Sequence, residues 1–229
     1  MNESIMKNIP ALSEEECGTL REKRVCVIGC GGLGGHIAEL ATRIGIGSLR
    51  VVDGDSFCIS NLNRQLLCTR AVMGAAKAEV ARSRILAISP EANAEAVCEF
   101  LNEENADRLV AGCDAVFDAL DNVPARRILA GACERAGIPY IYGAIGGWVS
   151  QAALSMPGDR LIERLYPADC ELPERGVLSF TPAICASMQV ALCVRLLVGR
   201  PVESSVLYYF DALENELERI DMRQSDGEV

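Results

Sequence analysis

One run constrains this chain more than any other: Arg24-Val25-Cys26-Val27-Ile28-Gly29-Cys30-Gly31-Gly32-Leu33-Gly34-Gly35. Val25 to Ile28 is an apolar run of the length of a buried strand. The glycines then make a turn, and Leu33 to Ile44 carries Ile37, Leu40, Ala41 and Ile44 at helical spacing on one face. Gly29, Gly31 and Gly34 are spaced G-x-G-x-x-G. At a strand-to-helix corner, one such glycine makes the tight turn, one lets a phosphate approach the backbone, and one lets the helix pack close to the strand. The free N–H groups of the first helical turn then face an anion. Gly29, Gly31, Gly32, Leu33 and Gly34 are therefore candidate nucleotide contacts, set against the plainer reading of a corner with nothing bound.

Beyond this corner the pattern alternates. Strands are expected at Ser48 to Val52, Ala94 to Glu99, Ala115 to Asp118 and Pro139 to Ala144. Helices are expected at Gly74 to Ile88, Glu103 to Ala111 and Pro124 to about Ala136. Strand and helix in turn predict an α/β fold: a Rossmann-like, mostly parallel sheet with helices on both faces. Before it, residues 1–22 read as a leader helix started by Ser13-Glu14-Glu15-Glu16. Residues 23–146 form the nucleotide-binding core. Residues 147–229 complete the same domain with a strand from Val149 to Met156, a crossing loop from Pro157 to Phe180, an apolar helix from Thr181 to Val198, and an antiparallel pair at Leu207 to Phe210 and Glu216 to Ile220.

Half of the 229 residues are apolar, enough for one well-buried core, and the formal net charge is −10. Such a balance argues against nucleic acid or an anionic membrane as the main partner. The chain has 11 cysteines and no Cys-x-x-Cys pair, and its only histidine, His36, falls off the apolar face of its helix, where plain solvent exposure is expected. That pattern suits reduced thiols in the cytoplasm and predicts no zinc. Met1 to Glu16 has no apolar core of the signal-peptide kind, and no apolar run reaches membrane-spanning length.

In an open parallel sheet the carboxyl ends of the strands share one crevice. The second strand brings Asp53 there, 19 residues after Gly34, where an acid can grip ribose hydroxyls. Asp55 follows, and then Ser60-Asn61-Leu62-Asn63-Arg64-Gln65. Arg64 offers a planar fork for phosphate oxygens. Lys77 opens a helix at the end its dipole disfavours unless an anion lies between. The fourth strand ends in Asp118-Ala119-Leu120-Asp121-Asn122, where a carboxylate can hold Mg²⁺ on a polyphosphate, and where Asn122 or Asp121 can equally be a helix cap. A redox dinucleotide needs the glycine corner and the ribose acid but not the added arginine, lysine and carboxylate. Cleavage of a nucleoside triphosphate does need them, because charge spreads over oxygens in the transition state.

Gly29 to Gly34, Asp53-Gly54-Asp55, Ser60 to Gln65, Lys77 in its alanine-rich helix, and Asp118 to Asn122 followed by Arg126 together resemble the ThiF/MoeB/HesA family, the prokaryotic relatives of ubiquitin-activating enzymes. The likeness spans roughly Arg24 to Glu218. It implies ATP-dependent adenylation of the C-terminal carboxylate of a small ubiquitin-like sulfur carrier, with release of pyrophosphate. It implies that the glycine loop and Asp53 hold the nucleotide, that Asn61, Arg64, Gln65 and Lys77 bind and neutralise phosphates, and that Asp121 holds Mg²⁺. The catalytic set expected from it is Arg64, Lys77 and Asp121, with Cys170 as the one candidate for thioester or persulfide chemistry in the crossing loop. Asp55, Asp118 and Asn122 complete the expected nucleotide contacts. A homodimer is expected, with the apolar helix either finishing the core or facing a second copy. The chain shows no match to the N-terminal Arg-Tyr-x-Arg-Gln segment or to the two zinc-binding Cys-x-x-Cys pairs that many members carry. A small carboxylic acid or a modified tRNA base as substrate, a nicotinamide oxidoreductase, and a non-catalytic ATP-binding homologue remain open as alternatives.

Overall fold

The computed structural model of the chain describes residues 3–167 and 176–223. Ser13 starts α1 (Glu14–Glu22) with a reciprocal cap: its hydroxyl accepts from the Glu16 N–H, and the Glu16 carboxylate accepts from the Ser13 N–H. A 3₁₀ turn, Glu3–Asn8, precedes it.

The glycine corner folds as β1 (Arg24–Ile28) followed by α2 (Gly32–Ile44). Then come β2 (Ser48–Val52), α3 (Lys77–Ile88), β3 (Asn93–Val97), α4 (Ala106–Val110), β4 (Ala115–Asp118), α5 (Val123–Ala136), β5 (Tyr140–Gly146) and β6 (Val149–Ser155). After β6 the chain forms α6 (Leu161–Leu165), α7 (Thr181–Leu197), β7 (Val206–Asp211) and β8 (Glu216–Asp221). The α6 turn corrects the expectation of an unbroken loop from Pro157 to Phe180. Leu161 and Ile162 are buried in the core under α5, and this burial favours a helical turn that local sequence does not announce.

Eight strands form one sheet in the order β3-β2-β1-β4-β5-β6-β7-β8. Pairing is parallel from β3 to β5 and antiparallel from β5 to β8. This is the α/β architecture with an antiparallel extension that the alternating pattern implies. Strand order reverses between β1 and β4, and the crevice at the carboxyl ends opens there.

Two apolar layers sandwich the sheet. One packs α2, α3 and α7 through Ile37, Ala41, Ile85, Cys185 and Cys193 onto Val25, Val27, Leu49, Phe117 and Leu154. The other packs α4, α5 and α6 through Leu109, Leu129, Ala132 and Leu161 onto Cys26, Ile28, Val116 and Tyr142. Alternate residues of each strand thus face alternate layers, as covered parallel strands must. The apolar helix α7 buries Cys185, Ala186, Gln189, Leu192 and Cys193, so it finishes the core of this chain. His36 is half-buried rather than freely exposed, and burial pulls its pKa below the usual value.

Candidate active site

Two glycines build the corner. Gly29 takes φ of +96°, and a Cβ there would sit 2.6 Å from the Ala119 carbonyl oxygen on the β4 side. At Gly34 a Cβ would lie 1.8 Å from the Gly29 oxygen. The first turn of α2 therefore passes directly against the turn that leaves β1, and only glycine allows it. Gly31 is the N-cap and offers no side-chain acceptor, so the first N–H groups of α2 remain directed to whatever lies in front of them.

Asp53, just past β2, locks this corner. One carboxylate oxygen accepts from the Cys30 N–H at 2.7 Å and the other from the Asp55 N–H at 2.8 Å. The Asp55 carboxylate accepts from the Ser56 N–H at 2.8 Å and from the Lys77 ammonium at 2.6 Å. The Asp55 carbonyl also accepts from the Lys77 N–H at 3.0 Å, which satisfies an otherwise unpaired donor at the start of α3. The Lys77 ammonium holds the Asp55 carboxyl below the usual carboxylate range.

Asn61 is buried, and its side-chain oxygen accepts from the Cys58 N–H at 3.0 Å. It shapes the loop that presents Arg64 and Gln65. Arg64 is half-buried and donates only to neutral oxygens, those of Ser60 and Asn63, each at 3.0 Å. Gln65 is buried beside Gly31, and its side-chain oxygen has no partner.

These groups line a cavity of about 790 Å³ at the strand-order reversal. Gly29, Gly31, Gly32, Leu33, Asp53, Asp55, Arg64, Gln65, Lys77, Asp121 and Asn122 all reach it. Gly34 and Asn61 do not line it; they hold the walls. Asp118, expected to contact the nucleotide, is also absent from the lining and is fully buried. Its carboxylate accepts from Arg126 at 2.5 Å, from the Leu120 N–H at 2.9 Å and from the Tyr140 hydroxyl. Burial pushes the Asp118 carboxyl up, against the pull of Arg126 and the hydroxyl. Arg126 also donates to the Leu120 and Gly143 carbonyls at 2.5 and 2.8 Å. Asp118 is thus a brace under the loop, and Asp121, exposed above it, is the carboxylate the loop presents to the cavity. Asn122 caps α5 by accepting from the Ala125 N–H at 2.9 Å. Cys170 lies outside the described residues.

The Asp121 carboxylate accepts from the Asn122 side chain at 3.2 Å and otherwise faces the cavity. A single free carboxylate suits Mg²⁺, which takes one or two protein carboxylates and completes its shell with phosphate oxygens and water. Among the described residues no group of three or more His, Cys, Asp or Glu could hold a metal by itself.

The cavity continues past the glycine corner along β5 and β6. Tyr142, Gln151, Tyr166 and Leu207 line this end, and the Tyr142 hydroxyl pairs with that of Tyr166 at 2.6 Å and donates to the Gln151 side chain at 3.1 Å. Phe100, 69% exposed, stands at the other rim against Gly54. The sequence pattern does not single these residues out. A large exposed aromatic is a visible signal only once exposure is known, and a strand tyrosine shows its direction only once the helices covering each face are known.

A Rossmann-like sheet whose glycine corner, Arg64 and Lys77 line one cavity is the arrangement of an activating enzyme of the adenylyltransferase class. The chain belongs to the ThiF family, whose model matches residues 3–229. It is 33% identical over 217 residues to the SAMP-activating enzyme E1 of Haloferax volcanii, covering 90% of this chain and 79% of that protein. It is 32% identical over 231 residues to the sulfur carrier protein adenylyltransferase of Thermus thermophilus, covering 95% and 85%. A tRNA threonylcarbamoyladenosine dehydratase of Haemophilus influenzae is 40% identical over 130 residues, 56% of this chain and 50% of that protein. The crystal structure of Escherichia coli MccB with ATP shares the fold, with a TM-score of 0.84 at 19% identity over 99% of this chain and 72% of that one. The named relatives place this chain with the adenylyltransferases of the ThiF and MoeB type.

Proposed function

We propose that this chain activates the C-terminal carboxylate of a small ubiquitin-like sulfur-carrier protein as an acyl-adenylate, with ATP as donor and pyrophosphate as product, for sulfur transfer or cofactor biosynthesis. The observation that carries the reading is the convergence of Arg64, Lys77 and Asp121 on the cavity into which the glycine corner opens. A nicotinamide site has no use for that set.

In this reading Asp53 and the glycine corner hold the nucleoside, and Arg64, Gln65 and Lys77 hold the phosphate chain. A carrier carboxylate oxygen forms a bond to the α-phosphorus. The bond from that phosphorus to the bridging oxygen breaks, and the electron pair leaves with pyrophosphate. Arg64 and Lys77 neutralise the charge that builds on the phosphate oxygens. Asp121 would hold Mg²⁺, which supplies further neutralisation of the phosphates. The end of the cavity beside Tyr142, Gln151 and Leu207 is the entry for the carrier's tail. The names of the Haloferax and Thermus relatives support a small protein substrate. Ten described cysteines, all free thiols, fit the cytoplasmic location expected for this work. A homodimer belongs to the same reading, and since α7 is spent on the core, it would use other surface; sedimentation at two concentrations checks it.

The second reading, action on a modified tRNA base, has support from the dehydratase relative, which matches 56% of this chain. The net charge of −10 weighs against it, because RNA affinity comes mainly from cations on phosphates.

The test is exchange of labelled pyrophosphate into ATP with a candidate carrier ending in Gly-Gly. Carrier-dependent exchange that falls by about 100-fold or more in Arg64→Ala and Lys77→Ala supports the proposal. Exchange that survives both substitutions overturns the phosphate assignment, and exchange stimulated by tRNA but not by any carrier favours the second reading.

A further inference from the structure

Lys77 and Arg64 both line the cavity, yet they are held differently. Arg64 rests on two neutral oxygens and is ready for an anion. The Lys77 side chain is 8% exposed and already has one, Asp55, at 2.6 Å. A cation so deeply placed requires an anion beside it, because an unpaired charge away from water is costly. Asp55 meets that need cheaply. Its side chain is 56% exposed, so water can take over its hydrogen bonds once it lets go.

Main-chain bonds keep both residues in place while the carboxylate moves. The Asp55 N–H stays on Asp53, and the Asp55 carbonyl stays on the Lys77 N–H. Only the side chain of Asp55 has to rotate for Lys77 to accept a different anion.

We propose that Asp55 is the resident counter-anion of Lys77: polyphosphate displaces its carboxylate from the ammonium, and the carboxylate returns as pyrophosphate departs. A neutral nucleoside brings nothing that can take its place, so nucleoside binding leaves the Asp55–Lys77 pair closed. The returning carboxylate competes with pyrophosphate for the same ammonium and so aids its release. The inference rests on the triphosphate reading of the cavity given above and adds a role for Asp55 that differs from direct nucleotide contact.

Calorimetric titration of the full chain with magnesium pyrophosphate, and separately with adenosine, tests it. Asp55→Asn is expected to tighten pyrophosphate about tenfold by removing a competing like charge, and to leave adenosine unchanged. Asp55→Glu, which keeps the charge, stays within about twofold of the natural protein. In a Lys77→Met background the gain from Asp55→Asn shrinks below about twofold, since the two residues act as one unit. Asp55→Ser replaces the asparagine variant should that one not fold. An unchanged or weaker pyrophosphate affinity in Asp55→Asn overturns the inference, as does an equal gain with and without Lys77. A natural protein that binds neither ATP nor pyrophosphate overturns the triphosphate reading itself, and this inference with it.

Discussion

The Arg126 guanidinium donates to the Asp118 carboxylate across 2.5 Å, and both side chains are buried. A buried ion pair adds little net stability compared with an apolar pair, because both charges are taken out of water. Here it adds geometry. Arg126 also holds the Leu120 and Gly143 carbonyls, Asp118 also holds the Leu120 N–H, and the Gln189 side chain donates to the Asp118 carbonyl at 2.9 Å. The loop that ends in Asp121 is held from below through Asp118 and Leu120. Breaking the pair from one end is expected to be severe. Arg126→Met should cost about 3–5 kcal/mol of unfolding free energy, because it strands a buried carboxylate. Tyr140→Phe, which removes one hydrogen bond to the same carboxylate, should cost about 1.5–3 kcal/mol. Urea denaturation measures both and checks their order.

The glycine corner gives a paired prediction. Gly34→Ala would drive a Cβ into the Gly29 carbonyl, and the main chain there has no room to give. A loss of about 3 kcal/mol is expected, together with loss of ATP binding as α2 moves off the turn. Gly131, inside α5, is the control. The nearest atom to a Cβ there is the end of the Arg135 side chain at 3.3 Å, which can swing away. Gly131→Ala should raise stability by about 0.5–1 kcal/mol by helix propensity. Thermal unfolding of the two variants reads both signs.

Asp121 carries the metal prediction. Its loop stays braced when the side chain changes, so Asp121→Asn should fold with an unfolding midpoint near that of the natural protein. If Asp121 holds Mg²⁺, the magnesium concentration for half-maximal pyrophosphate exchange should rise about 10- to 100-fold. An unchanged magnesium requirement would place the ion elsewhere.

Thiol chemistry separates the surface from the core. Cys58 and Cys98 are exposed, whereas Cys185 and Cys133 are buried and each is pushed up to about 12 by that burial. The Ser60 hydroxyl beside Cys58 lowers its pKa, so Cys58 should react with a disulfide reagent faster than an ordinary thiol, and Cys58→Ser should remove that fast phase. The buried thiols set a pH dependence. Their folded-state values lie above those of the unfolded chain, so they favour the fold fully below about pH 8.5, the free-thiol value. That contribution is lost as pH climbs from there toward about 12. The unfolding midpoint should therefore fall steadily from pH 9 to 11, with the buried thiols becoming reactive only as the protein unfolds.

Much of the fold was legible from local pattern. The β4 boundaries at Ala115 and Asp118, the Ser13 cap of α1 and the parallel-then-antiparallel order all follow from alternation, capping chemistry and apolar runs. Asp118 shows where that legibility ended. It closes β4 beside Asp121, and both look equally available for the crevice. Alternation does put Asp118 on the same face as Val116, but only the packed structure shows that Arg126 and Tyr140 wait on that face. The short helix α6 was hidden for the same reason, since its two buried residues are stabilised by α5 and not by their own neighbours in sequence.

What the chain's residue order determined alone is the strand–glycine–helix corner, the alternating sheet and the identity of the charged groups at strand ends. These depend on backbone sterics and on periodicity, which act over a few residues at a time. What tertiary structure alone decided is which acids stay free. Asp118 is claimed by Arg126 and withdrawn from the cavity, Asp53 and Asp55 reach it already paired with the backbone and with Lys77, and Asp121 reaches it with only the Asn122 side chain beside it. A charge's partner is set by distance in space, and the groups that claim Asp53, Asp55 and Asp118 come from other elements brought close by the packing of the sheet and its helices.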